Sequence, residues 1–286
     1  MALTITRKHF SKNFVNKISR VSIVTQAQVD EYQENGVACL RNVINKKWIQ
    51  LLLKGYEKNR RLPSPYHETN PDVNGKLYFS DFGYYKSISE YLHFVRHSPA
   101  GAITAKLMKS KKSVFILEEL IEKEKGYICN SQWHADLPYH PVSGWQNCSL
   151  WIPLTPTRKQ LKFVRGSHLM GDFTPTPFKE GNYVTGADDT MTVVNEAKET
   201  DIVSWDVNPG DCVAIHMKVL HTADFTTHDD GRIVFVTRWV GDDAEFAECE
   251  WEAYGYPPRH VRAPTDIQFG DLWANSKQFF VFNADG

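Results

Sequence analysis

The chain lacks any run of about 18 apolar residues, so no ordinary membrane-spanning helix is expected and no membrane partner follows. It also lacks an excess of charge: 33 Lys and Arg stand against 34 Asp and Glu, a formal net of -1 at pH 7, which leaves no basic footprint for nucleic acid. A small molecule is therefore the expected partner. Only five cysteines occur, Cys39, Cys129, Cys148, Cys212 and Cys249, odd in number and without CxxC or zinc-finger spacing. That argues against a disulfide framework and for a reducing compartment, the cytoplasm. No Pro/Gly/Ser-rich linker, charge run, internal repeat or low-complexity tract divides the 286 residues, so a single domain over 1–286 is expected. The first 29 residues hold Arg7, Lys8, Lys12, Lys17 and Arg20 and no acid. Residues 1–23 read as a basic N-terminal arm, with an organelle-targeting segment as the alternative. Oligomeric state has no signature in the sequence.

What is present is enough apolar material for a packed core, 42% hydrophobic and 13% aromatic. Thr25 reads as an N-cap and Gly36 as the stop of a short helix, with a strand over 37–40 after it. Residues 46–60 carry Trp48, Leu51 and Leu52 at helical spacing, and a polar, turn-rich stretch follows to Gly75. The aromatic density at Tyr78, Phe79, Phe82, Tyr84 and Tyr85 reads as core, or as a lid that keeps water from a reactive site. A helix is expected from Pro99 to about residue 110, and short β segments dominate over about 113–242. Turns at 208–211 and 228–231 feed the strands leading to His221 and Arg232. Strands with few helices between them predict a barrel or sandwich, mainly β with flanking helices.

The chemistry begins at His134 and Asp136. On a strand, side chains two apart share a face, so this pair could ligate one metal ion while Trp133, Ala135 and Leu137 face away. His221 is the candidate third ligand. Two imidazoles and one carboxylate occupy one face of an octahedral ferrous ion and leave the opposite positions open for co-substrate and dioxygen. On the strand Asn147–Pro153, Asn147, Ser149 and Trp151 share one face and Cys148, Leu150 and Ile152 the other. Arg238 falls on the same strand face as Arg232 but about 20 Å away at the usual rise, so a salt bridge at the far end of the barrel is expected for it. His168 and His216 read as structural, His228 as a solvated turn residue, and His140 as either a pocket or a turn residue.

The segments QWHADLPYHPVSGWQNCSLWIPLT and PGDCVAIHMKVLHTADFTTHDDGRIVFVTRWVGDDA resemble the phytanoyl-CoA dioxygenase family of iron- and 2-oxoglutarate-dependent oxygenases. The intervals of 87 residues from His134 to His221 and 11 from His221 to Arg232 match the spacing of that family's ligands and arginine. VTQAQVDEYQENGVACLRNVI, LKFVRGSHL and FGDLWANSKQFFVF are similar to further family segments. The resemblance implies a double-stranded β-helix of the jelly-roll, cupin-like kind, with Fe(II) on His134, Asp136 and His221. It further implies 2-oxoglutarate held by Arg232 with help from Ser149 and Trp151, and O2 as second co-substrate. Asn147, Trp133, Tyr139, His140, Tyr78 and Phe82 are the candidate substrate-pocket residues.

The implied reaction couples oxidative decarboxylation of 2-oxoglutarate to hydroxylation or desaturation of a small metabolite. Related halogenases have a small residue where Asp136 stands, so chlorination is not expected. Ala223 replaces the hydroxyl residue of the phytanoyl-CoA enzyme, and neither a CoA-binding basic patch nor a peroxisomal signal in the terminal FNADG is seen, so a fatty acyl-CoA substrate is not supported. Two alternatives stay open: a metal-dependent hydrolase or isomerase on a cupin-like barrel, and a non-catalytic ligand-binding relative.

Overall fold

A computed structural model describes residues 23–175, 187–223, 231–249 and 263–284. The basic N-terminal arm expected before residue 23 and His228 with its turn lie outside the described residues. The first helix, α1 (Gln26–Asn35), starts where a capping box closes: the Gln28 amide donates to Thr25 Oγ1, and the Thr25 amide donates to Gln28 Oε1. It stops at Gly36, whose φ of 73° a side chain would resist. β1 (Val37–Leu40) and α2 (Lys46–Arg61) follow as expected. Within the stretch read as turns there is an edge strand, β2 (Glu68–Pro71), paired with β3 (Leu77–Phe82). Its residues are half-buried and exposed in alternation, too polar to stand out in the sequence.

Two more helices were not foreseen. One, α3 (Ser89–His97), buries Tyr91, Phe94 and Val95 at helical spacing inside the aromatic segment. The expected helix after Pro99 is α4 (Ala100–Leu107), and the other unforeseen one, α5 (Asp188–Glu196), comes later. The remaining strands are β4 (Lys112–Lys123), β5 (Val142–Ser143), β6 (Asn147–Pro153), β7 (Thr157–Arg158), β8 (Leu161–Val164), β9 (Ile202–Val203), β10 (Asp206–Val207), β11 (Cys212–Ile215), β12 (His221–Ala223), β13 (Arg232–Val240), β14 (Glu245–Phe246) and β15 (Phe280–Asn283).

The larger sheet runs β1-β11-β6-β13-β4-β3-β2 with β15 also on β4, and the smaller runs β12-β8-β9. Every pairing between these strands is antiparallel. Side chains alternate between two destinations. Cys148, Leu150 and Ile152 of β6, Cys212 and Ala214 of β11 and Phe235 and Trp239 of β13 join Val29, Tyr32, Leu52, Tyr91 and Phe94 of the helices in one core. Trp151, Val213, Ile215, Val234 and Val236 point the other way and pack with Leu161 and Phe163 of β8 and Ala223 of β12. Helices thus cover one face of the large sheet, and the small sheet closes over the other. No helix among the described residues is long and apolar enough to cross a membrane.

Candidate metal and co-substrate site

His134 and Asp136 are not on a regular strand. His134 forms an isolated bridge to His221, with both amides donating across it, at 3.0 Å from His134 and 2.9 Å from His221. Asp136 already has helical φ and ψ at the start of the single 3-10 turn Leu137–Tyr139. The two imidazoles meet because their backbones pair across 87 residues, with ring centroids 4.3 Å apart.

The ring orientations are set from behind. His134 Nδ1 donates to the Gln132 carbonyl at 2.7 Å and His221 Nδ1 to the Val219 carbonyl at 3.0 Å. Each ring therefore turns its Nε2 lone pair to Asp136, at 3.8 and 3.7 Å from Oδ1. One ligand atom from each of the three residues lies within 4.8 Å of the others, a spacing that fits one ion held between them. Phe163 stacks on His221 at 5.8 Å. Burial, and then His221, pushes the His134 imidazole down to about 4, so it is a neutral ligand at ordinary pH. Burial opposes charge on Asp136, but Arg238 and the neighbouring histidines outweigh it and hold the carboxyl below the usual range.

These three residues face a cavity of about 460 Å³ between the sheets. Arg232, Ser149, Trp151, Tyr78 and Phe82 line it too. Arg232 is buried, its guanidinium over the Trp151 ring at 5.5 Å, and burial lowers its pKa from the ordinary value. Ser149 Oγ lies 3.5 Å from Asp136 Oδ2.

Four expected pocket residues do not line the cavity, two of them, Tyr139 and His140, because the backbone leaves the extended path at Asp136. Trp133 packs with Ala135, Val164, Phe173 and Leu220. Tyr139 is buried edge-on to His134, and His140 is buried behind Asp136. Asn147 accepts from the Met217 amide at 2.7 Å and donates to the Gly144 and Trp145 carbonyls, bracing the turn before β12.

Arg238 is not at a far end of the barrel. It lines the same cavity, donates to Glu119 at 2.8 Å, and its Nε sits 3.6 Å from Asp136 Oδ2. Arg232 and Arg238 keep their strand separation, and the cavity runs along β13 between them. Reasoning from sequence also missed Glu119 and Lys123, both buried on the cavity face of β4. The signal was there: in Glu119-Leu120-Ile121-Glu122-Lys123 charges recur within an otherwise apolar strand. His168 and His216 are structural, as expected, each ring meeting a backbone carbonyl, of Gln33 and Trp145 respectively.

The model of the phytanoyl-CoA dioxygenase family matches residues 32–234, a span that contains His134, Asp136, His221 and Arg232. The chain belongs to the phytanoyl-CoA dioxygenase family. As a member it is an iron- and 2-oxoglutarate-dependent enzyme of the oxygenase type. None of the curated proteins matches it in sequence. Among solved structures it is similar to the non-heme alpha ketoglutarate dependent carbocyclase SnoK from nogalamycin biosynthesis, with 17% identity, TM-score 0.70, and 91% of this chain and 97% of that one covered. It is similar also to the epimerase SnoN in complex with Fe3+, alpha ketoglutarate and nogalamycin RO, with 15% identity, TM-score 0.66 and coverage of 89% and 97%. EctD from S. alaskensis with 2-oxoglutarate and 5-hydroxyectoine follows at 12% identity, TM-score 0.66 and 88% of each chain. At these identities the likeness establishes the fold, the double-stranded β-helix expected from the sequence.

Proposed function

We propose that this enzyme hydroxylates or desaturates a small-molecule metabolite while converting 2-oxoglutarate and O2 to succinate and carbon dioxide. The observation that carries the reading is the placement of buried Arg232 in the same cavity as the His134, Asp136 and His221 triad. A hydrolase or isomerase with these three ligands has no need of a buried guanidinium at a fixed offset from the metal.

Bound iron supplies the activation of dioxygen. His134, Asp136 and His221 would hold it through two Nε2 atoms and one carboxylate oxygen, and all three face the cavity. The planar fork of Arg232, braced on Trp151, takes the distal carboxylate of 2-oxoglutarate, and Ser149 assists on the same face. Tyr78 and Phe82 form the apolar wall against which substrate lies and from which water is excluded. With its carboxylate among the three ligands, Asp136 would fill the position a halide needs, so hydroxylation or desaturation is expected and chlorination is not.

The relatives named for a carbocyclase and an epimerase make the outcome the part to measure. The test loads the full chain with iron under anaerobic conditions, adds 2-oxoglutarate and a metabolite library, and admits air. Substrate-stimulated succinate, with product that has gained one oxygen or lost two hydrogens, is expected. Turnover that proceeds without 2-oxoglutarate, or equally well with zinc, would replace this reading with the hydrolase one.

A further inference from the structure

We infer that Asn147, expected in the substrate pocket and found outside the cavity lining, is a positioning residue for the metal, fixing the turn over 216–220 that joins His221 to Asp136. The inference rests on the reading of His134, Asp136 and His221 as metal ligands and adds to it a residue from the layer behind them.

Two carbonyls of the turn govern two of the ligands. That of Met217 accepts from the amide of Leu137, the residue after Asp136, at 2.7 Å. That of Val219 accepts from His221 Nδ1 at 3.0 Å and so decides which way Nε2 points. Displacing the turn would shift the carboxylate and rotate the imidazole together. Metal–ligand distances tolerate only about 0.2 Å, so a small displacement is enough to weaken the site.

Side chains do most of the work of holding the turn. Two of its amides end on backbone, His216 on the Gly36 carbonyl at 2.8 Å and Val219 on the His216 carbonyl at 2.9 Å. The other three end on side chains: Met217 on Asn147 Oδ1 at 2.7 Å, Lys218 on His216 Nδ1 at 3.2 Å and Leu220 on Ser167 Oγ at 2.9 Å. His216 belongs to the turn itself, whereas Asn147 and Ser167 come from elsewhere in the chain. Ser167 secures the end next to His221, and Asn147 secures the residue whose carbonyl receives Leu137.

Asn147 is suited to this by what lies on its other side. It is fully buried at the start of β6, and its Nδ2 donates to the Gly144 and Trp145 carbonyls at 3.3 and 3.2 Å. That segment is fixed in turn, since the Trp145 and Gln146 amides donate to Asp243 at 3.0 and 2.9 Å. The Tyr32 hydroxyl of α1 donates to the Asn147 carbonyl at 2.5 Å. An amide can accept on one side and donate on the other, and leucine fills the same volume while doing neither. Leucine would leave the buried Met217 amide without its partner, and the turn would have to move to satisfy it.

The test is anaerobic titration of the full chain with Co(II), whose d–d absorption reports ligand geometry without turnover, alongside thermal unfolding of the metal-free protein. Asn147→Leu should weaken Co(II) by about tenfold or more, the scale for residues that orient a metal ligand, and should change the d–d spectrum. Ser113→Ala is the comparison: it removes an equally buried hydroxyl, 2.7 Å from Thr104 Oγ1 on α4, and should lower stability with affinity and spectrum unchanged. Should Asn147→Leu fail to fold, Asn147→Ser, whose hydroxyl ends one bond short of Oδ1, takes its place with the same expected result. Lower stability in the Asn147 variant with parent-like affinity and spectrum would make Asn147 a structural residue and overturn the inference. Equal loss of affinity in Ser113→Ala would overturn it as well, since stability alone would then account for both. Lost Co(II) binding in His221→Ala beside parent-like binding in Asn147→Leu would remove the inference and leave the ligand reading standing. Parent-like binding in His221→Ala would remove both.

Discussion

Strand β13 presents two different proteins on its two faces. Toward the helices it shows Ile233, Phe235, Thr237 and Trp239, and toward the cavity Arg232, Val234, Val236 and Arg238. On the helix side Phe235 lies 4.5 Å from Tyr91 and Trp239 5.2 Å from Phe115, ring to ring, in a dry aromatic core. On the cavity side two guanidiniums are buried at the ends of a short apolar row. The helix face stabilises the fold by removing apolar surface from water, and the cavity face gives some of that stability back by burying charge. One strand can carry both because alternation keeps the two environments apart.

The largest expected effect tests the helix face. Trp239→Ala removes a fully buried ring packed on Phe115 and Phe282 and should lower unfolding free energy by about 3–5 kcal/mol. Denaturant titration measures this, and a loss below about 1 kcal/mol would mean that the core can collapse around the gap. The corresponding change on the cavity face should behave in the opposite way. Arg232→Met should cost less stability than Trp239→Ala, since an apolar side chain of similar length replaces the buried guanidinium and leaves no cavity. Its effect belongs to the co-substrate: 2-oxoglutarate affinity should fall by about 2–5 kcal/mol, the cost of truncating one partner of a buried charged pair. A large loss of stability with affinity preserved would erase the distinction between the faces.

Buried acids on the helix side break the pattern, Glu118 among them. Glu118 is buried on the helix side of β4, and burial pushes its carboxyl up to about 8 from an ordinary 4.5. Between these values the folded state keeps a proton that the unfolded chain has lost, so stability falls as pH rises through that window and reaches its lowest contribution above about 8. Glu118→Gln should match the parent at pH 4 and exceed it at pH 9 in thermal unfolding. A variant that lost stability equally at both pH values would show that the carboxyl is needed for its hydrogen bonds and not merely tolerated.

The same two faces explain what the sequence disclosed. His134, Asp136, His221 and Arg232 were legible because ligand chemistry restricts residue type and the intervals are characteristic. The capping of α1 by Thr25 and Gly36 and the alternation along β6 were legible because they are local. What failed was tertiary. The bridge between His134 and His221 replaces the strand that the HxD spacing suggested, and the turn after Asp136 carries Tyr139 and His140 away from the cavity. Arg238 reaches Asp136, and Lys123 faces Arg232, only through the register of β13 with β4 and β6, which pairs residues more than 80 apart in the chain. α3 was hidden because aromatic density in its segment masked the helical spacing of Tyr91, Phe94 and Val95.

The smallest effect separates two readings of one hydroxyl. Ser149 and Cys148 are neighbours on β6 with opposite destinations, the cavity for Ser149 and the helix core for Cys148. The family resemblance assigns Ser149 to 2-oxoglutarate, whereas its Oγ lies 3.5 Å from Asp136 Oδ2, opposite Arg238 in the β13 register. A contact this long is worth under about 1 kcal/mol, so Ser149→Ala should weaken iron binding by no more than a few-fold if its partner is Asp136. The fold should be untouched, because a methyl group fills most of the same space. Anaerobic iron titration alongside 2-oxoglutarate titration decides the matter. A shift confined to iron assigns the hydroxyl to Asp136, and a shift confined to 2-oxoglutarate returns it to the co-substrate. A loss of stability with neither affinity changed would place Ser149 with the structural residues, and the cavity face would then owe less to polar contacts than its buried charges suggest.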